Sequence, residues 1–106
     1  MDLKQLQRES KIWSAHNFPI AESWMPLMGA TEEIGELCHI HLKSAQGIRK
    51  VDNVKELKMD AIGDVIIYLA DYCNRSGLDL QESVELAWEE ASKRDWIKFS
   101  KNGVSE

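Results

Sequence analysis

Residues 58–69 read Lys58-Met59-Asp60-Ala61-Ile62-Gly63-Asp64-Val65-Ile66-Ile67-Tyr68-Leu69. The β-branched run Val65-Ile66-Ile67 suits a strand by propensity alone. Its flanks, Leu57 to Asp64 and Tyr68 to Cys73, keep helical spacing over a longer stretch, and periodicity outweighs propensity. The segment is therefore a helix, and it is apolar nearly all round after residue 61, which predicts burial. Yet Glu56, Asp60, Asp64 and Asp71 line up along one of its sides. An ionised carboxylate taken into a core costs several kcal/mol unless it is paired, protonated or bound to a metal.

Outward from this helix, the remaining punctuation predicts three more. Asp2 caps a first helix carrying Leu3, Leu6, Ser10, Trp13 and Asn17 at helical spacing. That helix stops around Asn17, because Phe18 precedes Pro19 and is biased away from helical dihedrals. Ser23 caps a second, with Pro26 tolerated in its first turn. Its apolar stripe is Leu27, Ala30, Ile34, Leu37, His41 and Ala45, and Gly47 closes it. Gly47 to Asp52 forms a basic connection. Asn53 caps the third helix, which runs to about Arg75 before Ser76-Gly77. The fourth opens at Asp79, with Glu82 three residues on, carries Val84, Ala87, Trp88 and Ala91 on one face, and ends near Trp96. Neither a repeat nor a low-complexity segment interrupts this order. Four helices with short links predict an all-α four-helix bundle formed by residues 1–106 as one domain.

Size and charge narrow the function. A chain of 106 residues builds one modest core. Its net charge of -5 argues against a nucleic-acid polymer as partner, which calls for a basic face. An acidic protein can still bind an anionic nucleotide through a metal ion that inverts the local charge. The N-terminal residues carry no apolar signal core, and no run approaches the roughly 18 apolar residues of a membrane span. Cys38 and Cys73 form no CxxC pair and read as reduced small hydrophobes. The expectation is a cytoplasmic protein without a membrane partner.

A second acidic group stands on the second helix, in Thr31-Glu32-Glu33-Ile34-Gly35-Glu36-Leu37. Glu33 and Glu36 are three apart and share one side, whereas Glu32 points nearly opposite. With Ile34 as the centre of the apolar stripe, Glu33 lies at its edge beside Ile40. An ExxE pair alone is common on solvated faces. Beside aspartates on a helix expected to be buried, it predicts a magnesium site, for which oxygen-only ligands and a hard divalent ion are suited.

This arrangement resembles the MazG-like family of all-α nucleoside-triphosphate pyrophosphatases, whose signature is ExxE, a gap, then ExxD. The context is similar too: Trp13 and Asn17-Phe18-Pro19 ahead of the motif, Gly63-Asp64-Val65-Ile66-Ile67-Tyr68-Leu69 after it, and Lys93-Arg94-Asp95-Trp96 near the end. The resemblance covers roughly residues 5 to 100. The chain departs from the pattern at one place. The position three before Asp64 is Ala61, and the nearest acid is Asp60, one turn up the same face. Glu33, Glu36 and Asp64 are thus the direct carry-overs, with Asp60 a shifted fourth, both as metal ligands and as catalytic carboxylates.

The resemblance implies magnesium, with manganese as a substitute, and hydrolysis of a (d)NTP to (d)NMP and pyrophosphate, as in nucleotide-pool house-cleaning. It implies phosphate-binding basic residues near the chain's end, Lys93 and Arg94. Lys43, Arg49, Lys50 and Lys98 are further cations, and any of them equally suits a solvated surface. For the base, Trp13, Phe18, Trp24 and Tyr68 offer stacking faces. Core packing competes for Trp13, while Tyr68 lies one turn beyond Asp64. Asn74 could read polar edges or end a helix. His39 and His41 point apart on their helix, and His41 is expected to pack on the inner stripe. The resemblance further implies a homodimer or homotetramer with the nucleotide site near the subunit interface. Four tryptophans and an apolar third helix are more than four short helices can cover. Three alternatives stay open: a phosphoribosyl-ATP pyrophosphohydrolase-like enzyme; a helical interaction or regulatory module of low activity, which Ala61 favours; and a plain structural bundle whose acids are solvated.

Overall fold

The computed structural model describes residues 1–47 and 52–105. These form four helices and no strand: α1 (Leu3–Asn17), α2 (Trp24–Gln46), α3 (Val54–Ser76) and α4 (Leu80–Ala91). The basic connection expected at Gly47 to Asp52, with Arg49 and Lys50, falls largely on 48–51, outside the described residues. Among the described residues no helix is long and apolar enough to cross a membrane.

Local chemistry sets most of the ends. Asp2 caps α1 by accepting from the Gln5 amide at 2.8 Å, and Asp79 caps α4 by accepting from the Glu82 amide at 2.7 Å. Gly47 and Gly77 end α2 and α3 in the left-handed conformation, at φ 66 and φ 69. Two expected caps do not act as such. Ser23 has helical dihedrals and Asn53 is left-handed at φ 57, and neither side chain makes a capping bond. Also, α4 ends at Ala91 and not near Trp96. Beyond it the chain folds back: the Asp95 amide donates to the Gly103 carbonyl at 2.8 Å, and the Asp95 carboxylate accepts from the Ile97 and Lys98 amides. Gly103, at φ 80, supplies the reversal that this closure needs.

Helix α3 is the hub. It packs against α1, α2 and α4, and among the described residues α2 touches no other helix. On α3, Ala70 is 0% exposed and joins Cys73 and Leu80 in a small core, with Leu3, Leu6, Ile66 and Leu69 packed around it. The approach of α1 is close because small polar residues face inward. Ser10 and Ser14 are buried, while Trp13 and Asn17, expected on the same stripe, are exposed. Gln7 ties α1 to the start of α4, accepting from the Leu80 amide and donating to the Leu78 carbonyl, both at 2.8 Å.

Helices α2 and α3 run antiparallel, since His41 meets Lys58 at 3.1 Å and Gly29 lies against Tyr68 at the other end. The inward face of α2 differs from expectation. Pro26, Ala30 and Ile40 are buried and Glu33 and Leu37 half-buried, whereas Ile34, His41 and Ala45 are exposed. Leu27, Ala30 and Leu37 of the expected stripe stay inward, and the face is turned by part of a residue step so that Glu33, and not Ile34, lies towards α3. Nor is α3 buried all round, because Ile62 is 52% exposed and Ile67 and Tyr68 are also accessible. The stripe expected on α4 is uncovered as well, with Val84, Leu86 and Trp88 exposed. The radius of gyration, 17.4 Å, exceeds the ~13 Å of a compact domain of about 100 residues. The four helices therefore form an open assembly around α3, which leaves apolar faces free.

Because Ala70 is enclosed on all sides, Ala70→Leu is expected to cost about 1–3 kcal/mol by overpacking. Ile62→Leu, at an exposed position, should shift the urea midpoint little, and the two variants measured side by side check where the core lies.

Candidate functional site

A cavity of about 520 Å³ opens between α1, the 18–21 segment, the start of α2 and the middle of α3. Trp13 and Phe18 stand on one side, their rings edge to face at 5.6 Å between centroids. Tyr68 and Ile67 come from α3, Met25 and Pro26 from α2, and the acids are Glu33, Asp64 and Asp71. Its volume is in the range of small-molecule sites, about 300–1,000 Å³. Gly29 makes the aromatic part of this floor feasible. A Cβ there would collide with the Tyr68 ring, so only glycine lets the ring lie against α2.

The register of α2 on α3 sets Glu33 level with Asp64. The electrostatics agree. The Glu33 carboxyl is held above the usual glutamate range, first because burial disfavours its charge, then because Asp64, Asp60, Glu36 and Glu32 repel it. All four acids singled out by the sequence thus act on one neighbourhood. Among the described residues none of Glu33, Glu36, Asp60 and Asp64 has an ion-pair partner or accepts a hydrogen bond. Glu33 and Asp64 are half-buried and line the cavity, while Glu36 and Asp60 are exposed beside it. No three His, Cys, Asp or Glu side chains among the described residues converge closely enough to form a ready metal cage. The donor set nevertheless fits a hard dication: carboxylate oxygens only, mutually repelling and without a cation of their own.

The other predicted residues are dispersed. Trp13 and Tyr68 face the cavity. Asn74 does not; its amide donates to the Gln7 carbonyl at 3.0 Å and to Ser10 Oγ at 3.4 Å, and serves the α1–α3 contact. Lys93 and Arg94 lie just past α4, paired at 3.4 Å with Glu89 and Glu90, and do not line the cavity of their own chain. Trp24 is exposed and donates to Glu22. His41 is bonded to Lys58 on the outside, not packed within.

Sequence reasoning overlooked Ser14, Gly29 and Arg75. Arg75 bonds Asp71 at 2.9 Å, which accounts for one acid of the α3 row without a metal. The signal was present as an opposite-charge pair four residues apart. No protein-family model matches the chain, and no curated protein or solved structure matches it.

The raised Glu33 sets the sign of a pH effect. A carboxyl that holds its proton more tightly when folded favours the fold when protonated. Without divalent ions, stability should therefore fall as pH rises from the ordinary glutamate value through the raised one. In Glu33→Gln this fall should be absent, as urea midpoints across the carboxylate range in EDTA would reveal.

Proposed function

We infer that the chain is a magnesium-dependent nucleoside-triphosphate pyrophosphohydrolase of the MazG-like type, cytoplasmic and acting in nucleotide-pool house-cleaning. One observation carries this reading. Glu33 on α2 is pushed up first by burial and then by Asp64 and Asp60 on α3 and by Glu36, at the edge of a cavity of about 520 Å³ bounded by aromatic rings. Mutually repelling carboxylates facing across two helices, beside a nucleotide-sized cleft, are an arrangement that costs stability and gains meaning from a bound cation.

Glu33, Glu36 and Asp64 would hold the metal, with Asp60 as the shifted fourth acid. When bound, magnesium, or manganese in its place, supplies positive charge against the triphosphate and against the charge that develops on the leaving pyrophosphate. The chain's own part is positioning. Trp13, Phe18 and Tyr68 would offer their rings to the base. Water attacks the α-phosphorus, a new P–O bond forms, and the bond to the bridging oxygen of the β-phosphate breaks. The proton released by the water passes to a carboxylate of the acidic set. Thus (d)NTP and water give (d)NMP and pyrophosphate.

A homodimer or homotetramer completes the reading. Ile34, Ile62, Leu86 and Trp88 (68% exposed) leave apolar surface that a second copy would cover. Lys93 and Arg94 lie away from the cavity of their own chain, so a substrate role for them depends on such a copy. Ala61 favours one other reading, a helical interaction or regulatory module of low activity. At 2% exposure it is enclosed where the resemblance calls for a glutamate.

The deciding experiment is pyrophosphate release from a panel of standard and modified NTPs and dNTPs, in magnesium and in EDTA. Magnesium-dependent turnover that Asp64→Asn lowers by about 10²-fold or more is expected. A folded protein that releases no pyrophosphate from any nucleotide would favour the interaction module instead.

A further inference from the structure

Arg75, near the end of α3, is the centre of a polar knot that the site chemistry has not used. Its side chain is only 17% exposed. Four of its five N–H groups are engaged. Nε donates to Asp71 Oδ1 at 2.9 Å, Nη1 to the Ala21 carbonyl at 2.8 Å, and Nη2 to Ser14 Oγ at 2.7 Å and to the Phe18 carbonyl at 3.1 Å. Every acceptor belongs to a residue that lines the 520 Å³ cavity. The guanidinium itself stands behind that wall.

The 18–21 segment has little else to hold it. Phe18, about half exposed, is held from α1 by the Trp13 ring and by its amide, which donates to the Ser14 carbonyl at 2.8 Å, whereas Ile20 beyond it is 92% exposed. The Ala21 amide bonds only to the Phe18 carbonyl, at 3.3 Å within the segment. Among the described residues every hydrogen bond from α3 to this segment comes from Arg75. A connection of this kind opens locally at low cost unless a specific tie closes it.

We propose that Arg75 is a positioning residue that fixes the Phe18–Ala21 wall of the cavity, and thereby presents Phe18 and its neighbour Trp13 to a bound nucleotide base. The planar fork is required, because its donors diverge to reach one carboxylate, one hydroxyl and two carbonyls at once. A lysine ammonium concentrates its donors at one point and cannot span them. The substrate contact named here rests on the pyrophosphohydrolase reading; the fixing of the wall does not.

The test compares the wild type with Arg75→Lys and Ser14→Ala, each checked for unchanged helical content by far-ultraviolet circular dichroism. Amide hydrogen exchange is followed without nucleotide. KM and kcat are taken with whichever of ATP, GTP, dCTP and dTTP the wild type cleaves. In Arg75→Lys, exchange across residues 18–22, read at the hydrogen-bonded Phe18 and Ala21 amides, should rise at least about tenfold while the middle of α3 keeps its protection. KM should rise by about tenfold with kcat within about threefold, the pattern of lost binding and not lost chemistry. Ser14→Ala, which removes one acceptor, should fall between. Unchanged exchange at 18–22 in Arg75→Lys would overturn the proposal, even if turnover fell. Raised exchange with KM unmoved would overturn the substrate contact. Raised exchange in a protein that cleaves no nucleotide would uphold the wall and count against the pyrophosphohydrolase reading alone.

Discussion

Glu33 stands on the face of α2 that packs on α3, and Asp64 stands on the answering face with Asp60 exposed beside it. A glutamate in that place is disfavoured twice, by partial burial and by the charges opposite it. The rotation of α2 that puts it there also turns Ile34 outward and leaves Ala30, Leu37 and Ile40 as the apolar contact. A helix arranged only for stability would bury Ile34 and expose Glu33. The observed register instead buries Ile40 and turns Glu33 towards Asp64, so that carboxylates oppose one another across the two helices without an ion-pair partner among the described residues.

The open shape follows from the same choice. With α2 committed to α3 alone, α1 and α4 pack on α3 and on each other, and the gap between α1 and α2 becomes the cavity. Gly29 lets Tyr68 lie flat at the α2 edge of that gap, and Arg75 ties down the opposite wall. The polar face of α1, Gln7, Ser10 and Ser14, is what permits close approach without a large apolar core. The resulting single-chain core of Ala70, Cys73 and Leu80 is small for 106 residues. It is too little to account for the apolar surface left on α2, α3 and α4.

The parts of this fold legible in the sequence are those fixed by near neighbours. Asp2, Asp79, Gly47 and Gly77 act within a few residues of themselves, so the helices they bound were readable. The end of α4 was not, because Asp95 is closed by Gly103, a contact that periodicity does not carry. The inner stripe of α2 was misjudged for a related reason. Residues 26–41 offer two apolar stripes, one through Ile34 and one through Ile40, and only the partner helix decides between them. The nearness of the four carboxylates was legible because Glu33 and Glu36 share a side of α2, and Asp60 and Asp64 a side of α3. Arg75 was not, since its partners at Ser14, Phe18 and Ala21 lie 54 to 61 positions away.

Whether the facing acids on α2 and α3 hold a dication can be read from thermal stability at constant ionic strength. Melting temperatures are measured in EDTA and in magnesium for the wild type and for the double variant Glu33→Gln, Asp64→Asn. Magnesium at a hundredfold excess over Kd should stabilise the wild type by about 2.7 kcal/mol, seen as a raised melting temperature, and leave the variant nearly unmoved. In EDTA the variant should be the more stable of the two. Equal shifts in both proteins, or no shift in the wild type, would contradict the account.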